Sequence, residues 1–193
     1  MTIKSPKPAS LDQKIGARAP SDQPSGQPSD LGDLARCGDF DLRIGRDGTW
    51  YYQGSPIARK PLVKLFSSVL SRDASGDYWL ITPVERGRIA VDDAPFTAVE
   101  WQAEGEGRDQ VLRFRTNIDD WVAADSAHPI RVEHDRRSGE PRPYILVRDD
   151  LEALILRSVF YQLVEAAVEH RVGDRVHLGV WSRGVFFPLG APP

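Results

Sequence analysis

After Asp39 apolar and polar positions follow two rhythms, strict alternation and helical spacing, and turn residues cut the chain between them. "FDLRIGRDGTWYY" alternates on both sides of "RDG", which predicts a β-hairpin of about residues 40–45 and 49–53. "SPIARKPLVKLFSSVL" puts Pro61 at the first helical position and Leu62, Leu65, Phe66 and Val69 at i, i+3, i+4 and i+7. That spacing predicts an amphipathic helix over about 61–71, ended by "ASGD". "YWLITPV" and "RIAVDD" then predict two strands turning around Glu85 to Gly87.

The second half opens with "FTAVEWQAEGEGRDQVLRFRT", two strands about a Gly-containing turn, followed by the short strands "DDWVAAD" and "PIRVEHD". Asp149 stands three residues before Glu152 as in a capping box, Arg171 lies in what would be a last turn, and Gly173 can end a helix. A long helix over about 150–171 is predicted, apolar around most of its circumference and so largely buried. "RVHLGVW" and "GVFFPLG" close the chain as a terminal hairpin.

The order of elements rhymes between the halves. The first runs strand pair, "PIARKPLVKLF" helix, "YWLITPVERGRIAV" hairpin; the second runs strand and turn, "YILVRDDLEALIL" helix, "VHLGVWSRGVFFPLG" hairpin. Both hairpins carry an Arg-Gly step, Arg86-Gly87 and Arg183-Gly184, which points to an internal duplication. The expected fold class is α+β, with two β-rich halves, each holding hairpins and one helix. Residues 37–97 form the N-terminal α+β half and 98–193 the C-terminal β-rich half.

Residues 1–36 hold no aromatic side chain and are rich in Pro, Ser, Gly, Gln and Asp, so they bury too little apolar area to offset chain entropy. They read as a disordered tail. With 25 Lys and Arg against 28 Asp and Glu the net charge is -3, which lacks the basic excess that drives non-specific binding to nucleic acid. No apolar run approaches the roughly 18 residues of a membrane span, and the N-terminus has no apolar signal core, so neither membrane nor secretion is expected. The lone cysteine, Cys37, fits a reducing cytoplasm, and His128, His134, His170 and His177 lack zinc-ligand spacing, so no metal or other cofactor is expected.

Several patterns resemble chemistry. Glu85, Asp92 and Asp93 can supply paired carboxylates or an oxygen-rich metal site, which defines an alternative reading as a metal-dependent hydrolase. Adjacent strand residues point to opposite faces, however, so Asp92 and Asp93 converge poorly, and the pair reads well as a strand-ending turn. Ser182 in "GVWSRG" has Val180 where a nucleophile elbow needs Gly, and "GEGRDQ" has Gln110 where a dinucleotide fingerprint wants its third Gly. Both belong to hairpins. His134 and His177 sit in strand-like stretches and read as structural histidines.

The cluster "TWYYQGSPIARK" is more suggestive, because Trp50, Tyr51 and Tyr52 precede Arg59, Lys60 and a helix start whose free N–H groups favour an anion. The bland alternative places the aromatics in the core and the cations in solvent.

"RIGRDGTWYYQGSPIARKPLVKLFSSVLSRDASGDYWLITPVERGRIAVDDAPF" and "GVWSRGVFFPLG" together resemble the two signature blocks of a bacterial domain-of-unknown-function family, in the right order over about residues 37–190. The resemblance implies a duplicated core of repeated motifs, a C-terminal half superficially similar to pleckstrin-homology-like (PH-like) domains, a binding site at the junction of the halves, and a role in signal transduction. It transfers no catalytic residue, and fold analogy alone does not make a lipid binder.

The reading is a cytoplasmic, non-catalytic ligand-binding or regulatory protein with a cleft between the halves. Trp50, Arg59, Lys60, Glu85, Arg86, Ser182 and Arg183 are the expected wall residues, with the cations pairing a small anionic ligand or peptide and Trp50 stacking on it. An interaction adaptor that captures a protein partner through the tail or a strand edge is the third alternative.

Overall fold

Turn chemistry and alternation build the first sheet. In the computed structural model, which describes residues 36–191, the first hairpin joins β1 (Arg36–Ile44) to β2 (Trp50–Tyr52). Asp47 accepts a hydrogen bond from the Thr49 amide at 3.0 Å, and Gly48 takes φ of 78°, a conformation that side chains rarely adopt. β3 (Ser55–Pro56), helix α1 (Lys60–Ser68), β4 (Leu70–Arg72), β5 (Tyr78–Ile81) and β6 (Glu85–Val91) follow. The sheet order is β3-β2-β1-β6-β5-β4, with β1 and β6 parallel at its centre and every other pair antiparallel.

The second sheet is made of β7 (Phe96–Glu104), β8 (Val111–Thr116), β9 (Trp121–Ala123), β10 (Ile130–His134), β11 (Pro141–Arg148) and β12 (Leu151–Ile155). Its order is β10-β11-β12-β7-β8-β9, with β7 and β12 parallel at the centre. Read from the other edge, this is the strand order of the first sheet. Helix α2 (Arg157–Glu165) leads from it into a three-stranded sheet of β13 (Val168–Val172), β14 (Arg175–Ser182) and β15 (Val185–Gly190), in that order. Among the described residues strands dominate, and two α-helices make the fold α+β.

The expected helix over 150–171 is three elements. Asp149 and Asp150 have φ of 43° and 60°, so they form a tight hairpin turn between β11 and β12 instead of a helix cap. In β12, Leu151, Ala153 and Ile155 are buried while Glu152 and Leu154 are half-buried, a period of two. Only α2 keeps helical spacing, burying Val159, Phe160 and Leu163. A strand followed by an amphipathic helix adds up to an apolar pattern all round, which periodicity cannot separate from one buried helix.

Smaller differences have similar causes. Leu65, expected on the buried stripe of α1, is exposed, and Val63 and Ser67 are buried instead. The turn expected around Glu85 to Gly87 lies earlier: the Thr82 amide donates to the Glu85 carbonyl at 2.8 Å, and Arg86-Gly87 is paired inside β6. Arg183-Gly184 instead forms the turn between β14 and β15, with φ of 48° and 75°. The two Arg-Gly steps therefore occupy different places. The expected tail lies outside the described residues, apart from Arg36, which opens β1.

One hydrophobic core joins the halves. Leu42, Ile44, Trp50 and Val63 from the first and Phe96, Phe114, Ile145 and Leu163 from the second belong to the same buried cluster. Polar bridges reinforce it: Lys60 pairs with Asp119 at 2.6 Å, Asn117 Nδ2 donates to the Gly48 carbonyl at 3.0 Å, and Arg148 donates to the Ser67 carbonyl.

Candidate functional site

The link between β6 and β7 builds the seam of the molecule. Asp92 and Asp93 lie in the bend that ends β6, and their side chains go to different partners. Asp92 pairs with Arg43 at 2.6 Å. Asp93, whose side chain is only 8% exposed, accepts hydrogen bonds from the Tyr144 hydroxyl at 2.9 Å and from Arg142 Nη2. Burial, and then the Asp93 carboxylate, raises the Tyr144 phenol above its ordinary range, so it stays protonated and donates. The same carboxylate holds Arg142 more firmly protonated.

A cavity of about 240 Å³ opens beside this triad, between the turn after β1, strands β11 and β12, and the start of α2. Leu154, Ile155 and Phe160 supply apolar walls, and Tyr161 adds an exposed ring. Three guanidiniums, Arg46, Arg142 and Arg157, face two carboxylates, Asp93 and Glu140. Asp93 is committed to Arg142 and Tyr144, and Glu140 meets Arg157 only at 3.4 Å. Arg157 also donates from Nε to the Tyr161 hydroxyl at 2.8 Å. Among the described residues no side chain caps the N-terminus of α2 at Leu156, so its first amides add to the positive field. Arg46 makes no ion pair among the described residues. Such a cleft can hold an anionic group at its mouth and an apolar body within.

The wall residues expected from sequence do not gather here. Trp50 is 1% exposed and stacks on Phe66 with ring centroids 6.1 Å apart, so it is a core residue and cannot stack on a ligand. Arg59 is the exposed N-cap residue of α1, and Lys60 is engaged by Asp119. Glu85 is exposed at the start of β6, while Arg86 lies over the Trp79 ring at 4.1 Å. Ser182 is fully buried: its hydroxyl donates to the Ala124 carbonyl at 2.6 Å and accepts from the Leu112 amide at 3.0 Å. Arg183 pairs with Asp125 at 2.8 Å beside the β14–β15 turn. None of the seven lines the junction cavity.

Of the carboxylates considered for a hydrolase, only Asp93 reaches the cleft. Among the described residues no three His, Cys, Asp or Glu side chains group as a metal site would need. No described helix is long and apolar enough to cross a membrane.

Sequence reasoning missed Arg46, Arg142 and Arg157. Arg142 stands between Pro141 and Pro143 at the start of β11, and Arg157 opens α2. Their approach depends on splitting the 150–171 stretch, and once it is split Arg157 marks the start of the shorter helix.

Residues 28–94 match the N-terminal domain of DUF1285, a domain of unknown function, and residues 95–189 match the C-terminal domain of DUF1285, a protein of unknown function. A DUF1285 family protein from Silicibacter pomeroyi DSS-3 is 44% identical over 86% of this chain and 91% of its own, with a TM-score of 0.74. Another from Shewanella baltica OS155 is 25% identical over 65% of this chain and 91% of its own, with a TM-score of 0.51. No curated protein matches.

Proposed function

The chain belongs to the DUF1285 family, and on that premise we propose that it is a non-catalytic ligand-binding or regulatory protein of the cytoplasm. A small anionic ligand, or the acidic end of a peptide, sits in the cleft beside Asp93, and occupancy serves signal transduction. The observation that carries this reading is the surplus of guanidinium charge around an apolar cavity at the seam of the halves. Arg46 and Arg157 hold the anion, the uncapped start of α2 adds its amides, and Arg142, already fixed by Asp93, shapes the wall.

We read the two halves as copies of one ancestral unit. The shared strand order, with a parallel pair at the centre of each six-stranded sheet, supports this. The helices diverged, since α1 lies between β3 and β4 while α2 follows β12. A run of six strands followed by helix α2 supports a superficial PH-like character for the second half.

A thermal-shift screen against carboxylated and phosphorylated small molecules and acidic peptides tests the site, because a ligand that prefers the native state raises its stability. Binding of the best compound should weaken about tenfold or more in Arg46→Glu and again in Arg157→Glu, with the unliganded melting temperature nearly unchanged. Equal binding by the double variant would sink the proposal, as would a screen in which no anionic compound shifts the wild type.

A further inference from the structure

Among the described residues strand β13 is a sheet edge with one side open. Among the described residues it pairs on one side only, with five consecutive partners in β14 from Val168↔Gly179 to Val172↔Arg175 and no bulge. The other described edges are protected. β3 has two residues and ends in Pro56, β4 and β9 have three residues each, and β15 carries Pro188 and lies against β10. β13 has neither proline nor lysine, and it exposes Val168 and Val172 at 48% and 49%. Its centre is held in place: the His170 ring lies 4.8 Å from both Trp181 and Phe186, across Gly179, where a Cβ would come within 2.5 Å of Phe186.

The sequence of this edge, Val168-Glu169-His170-Arg171-Val172, is complementary to itself. We infer that β13 is a homodimer interface, in which two copies of the chain pair antiparallel about a two-fold axis at His170 and join their small sheets into one of six strands. In that register Val168 faces the second copy's Val172, Glu169 faces its Arg171, and each contact occurs twice, as an isologous interface requires. The smallest slip that keeps every side chain on its own face moves the axis to Glu169 or Arg171. Two like charges then meet, so the charge pattern selects both the partner and the register. The surface formed by Val168, His170 and Val172 runs across the axis unbroken. This interface is independent of the ligand cleft and stands or falls separately.

Sedimentation of the full chain over roughly a hundredfold range of concentration tests it. The wild type should rise from monomer towards dimer mass. Arg171→Glu and Glu169→Arg should each weaken self-association about tenfold or more, because each sets like charges opposite one another. The double variant Glu169→Arg/Arg171→Glu should dimerise as the wild type does. An equimolar mixture of the two single variants should form a heterodimer, which also shows that each is folded. A wild type that stays monomeric throughout, a single variant that associates unchanged, or a mixture that stays monomeric overturns the inference.

Discussion

Replacing Ser182 by alanine removes one hydroxyl that joins two sheets. Its oxygen accepts from the Leu112 amide of β8 at 3.0 Å and donates to the Ala124 carbonyl just after β9 at 2.6 Å, and the residue is 0% exposed. Alanine removes the partner of a buried donor and of a buried acceptor, at about 1–2 kcal/mol for each group. The expected loss is therefore roughly 2–4 kcal/mol, a large part of the roughly 5–15 kcal/mol that holds a domain folded. In thermal unfolding this appears as a fall of about 4–16 °C for a chain of this size. Urea unfolding of Ser182→Ala measures the cost directly, with Ser138→Ala in the exposed loop as a control that should move less than about 0.5 kcal/mol. A Ser182→Ala cost below about 0.5 kcal/mol would refute the reasoning, because it would mean that the hydroxyl does not hold the small sheet to the second six-stranded one.

Other perturbations test the seam between the halves. Gly48→Ala combines a φ of 78° with a Cβ that would lie 2.6 Å from Asn117 Nδ2, so urea unfolding should show a loss of about 1–3 kcal/mol. Asp119 is held below the usual carboxylate range, chiefly by the Lys60 hydrogen bond. Its contribution is therefore present above the unfolded value of about 4 and is lost as pH falls through the lower folded value. Lys60→Met should flatten the fall in urea midpoint between about pH 5 and pH 2, and the difference should shrink in high salt because both groups are half-exposed.

Local signals made much of the fold legible. The hairpins of β1 with β2, β5 with β6, β7 with β8 and β14 with β15 follow from alternation and turn residues that lie next to one another in the chain. Asp92 and Asp93, expected as a strand-ending turn, lie in the bend after β6 and take separate partners. The residues 150–171 did not yield to this reasoning. Whether "LEALI" is helix or strand depends on whether β7 and β11 flank it, and β7 is more than forty residues away in sequence.

The candidate site was less legible than the fold. Trp50, Arg59 and Lys60 are neighbours in the chain, but one turns into the core, one caps a helix and one is taken by Asp119. Arg46, Arg142 and Arg157 are far apart in sequence and meet only where the turn after β1 approaches β11 and α2. The sequence by itself therefore determined the α+β class, most strands and the residue types able to bind an anion, because backbone periodicity and turn geometry act over a few residues. Only the tertiary structure decided which cations share a cleft and that the halves share a core. Those outcomes rest on burial and strand pairing between segments that chain order does not bring together.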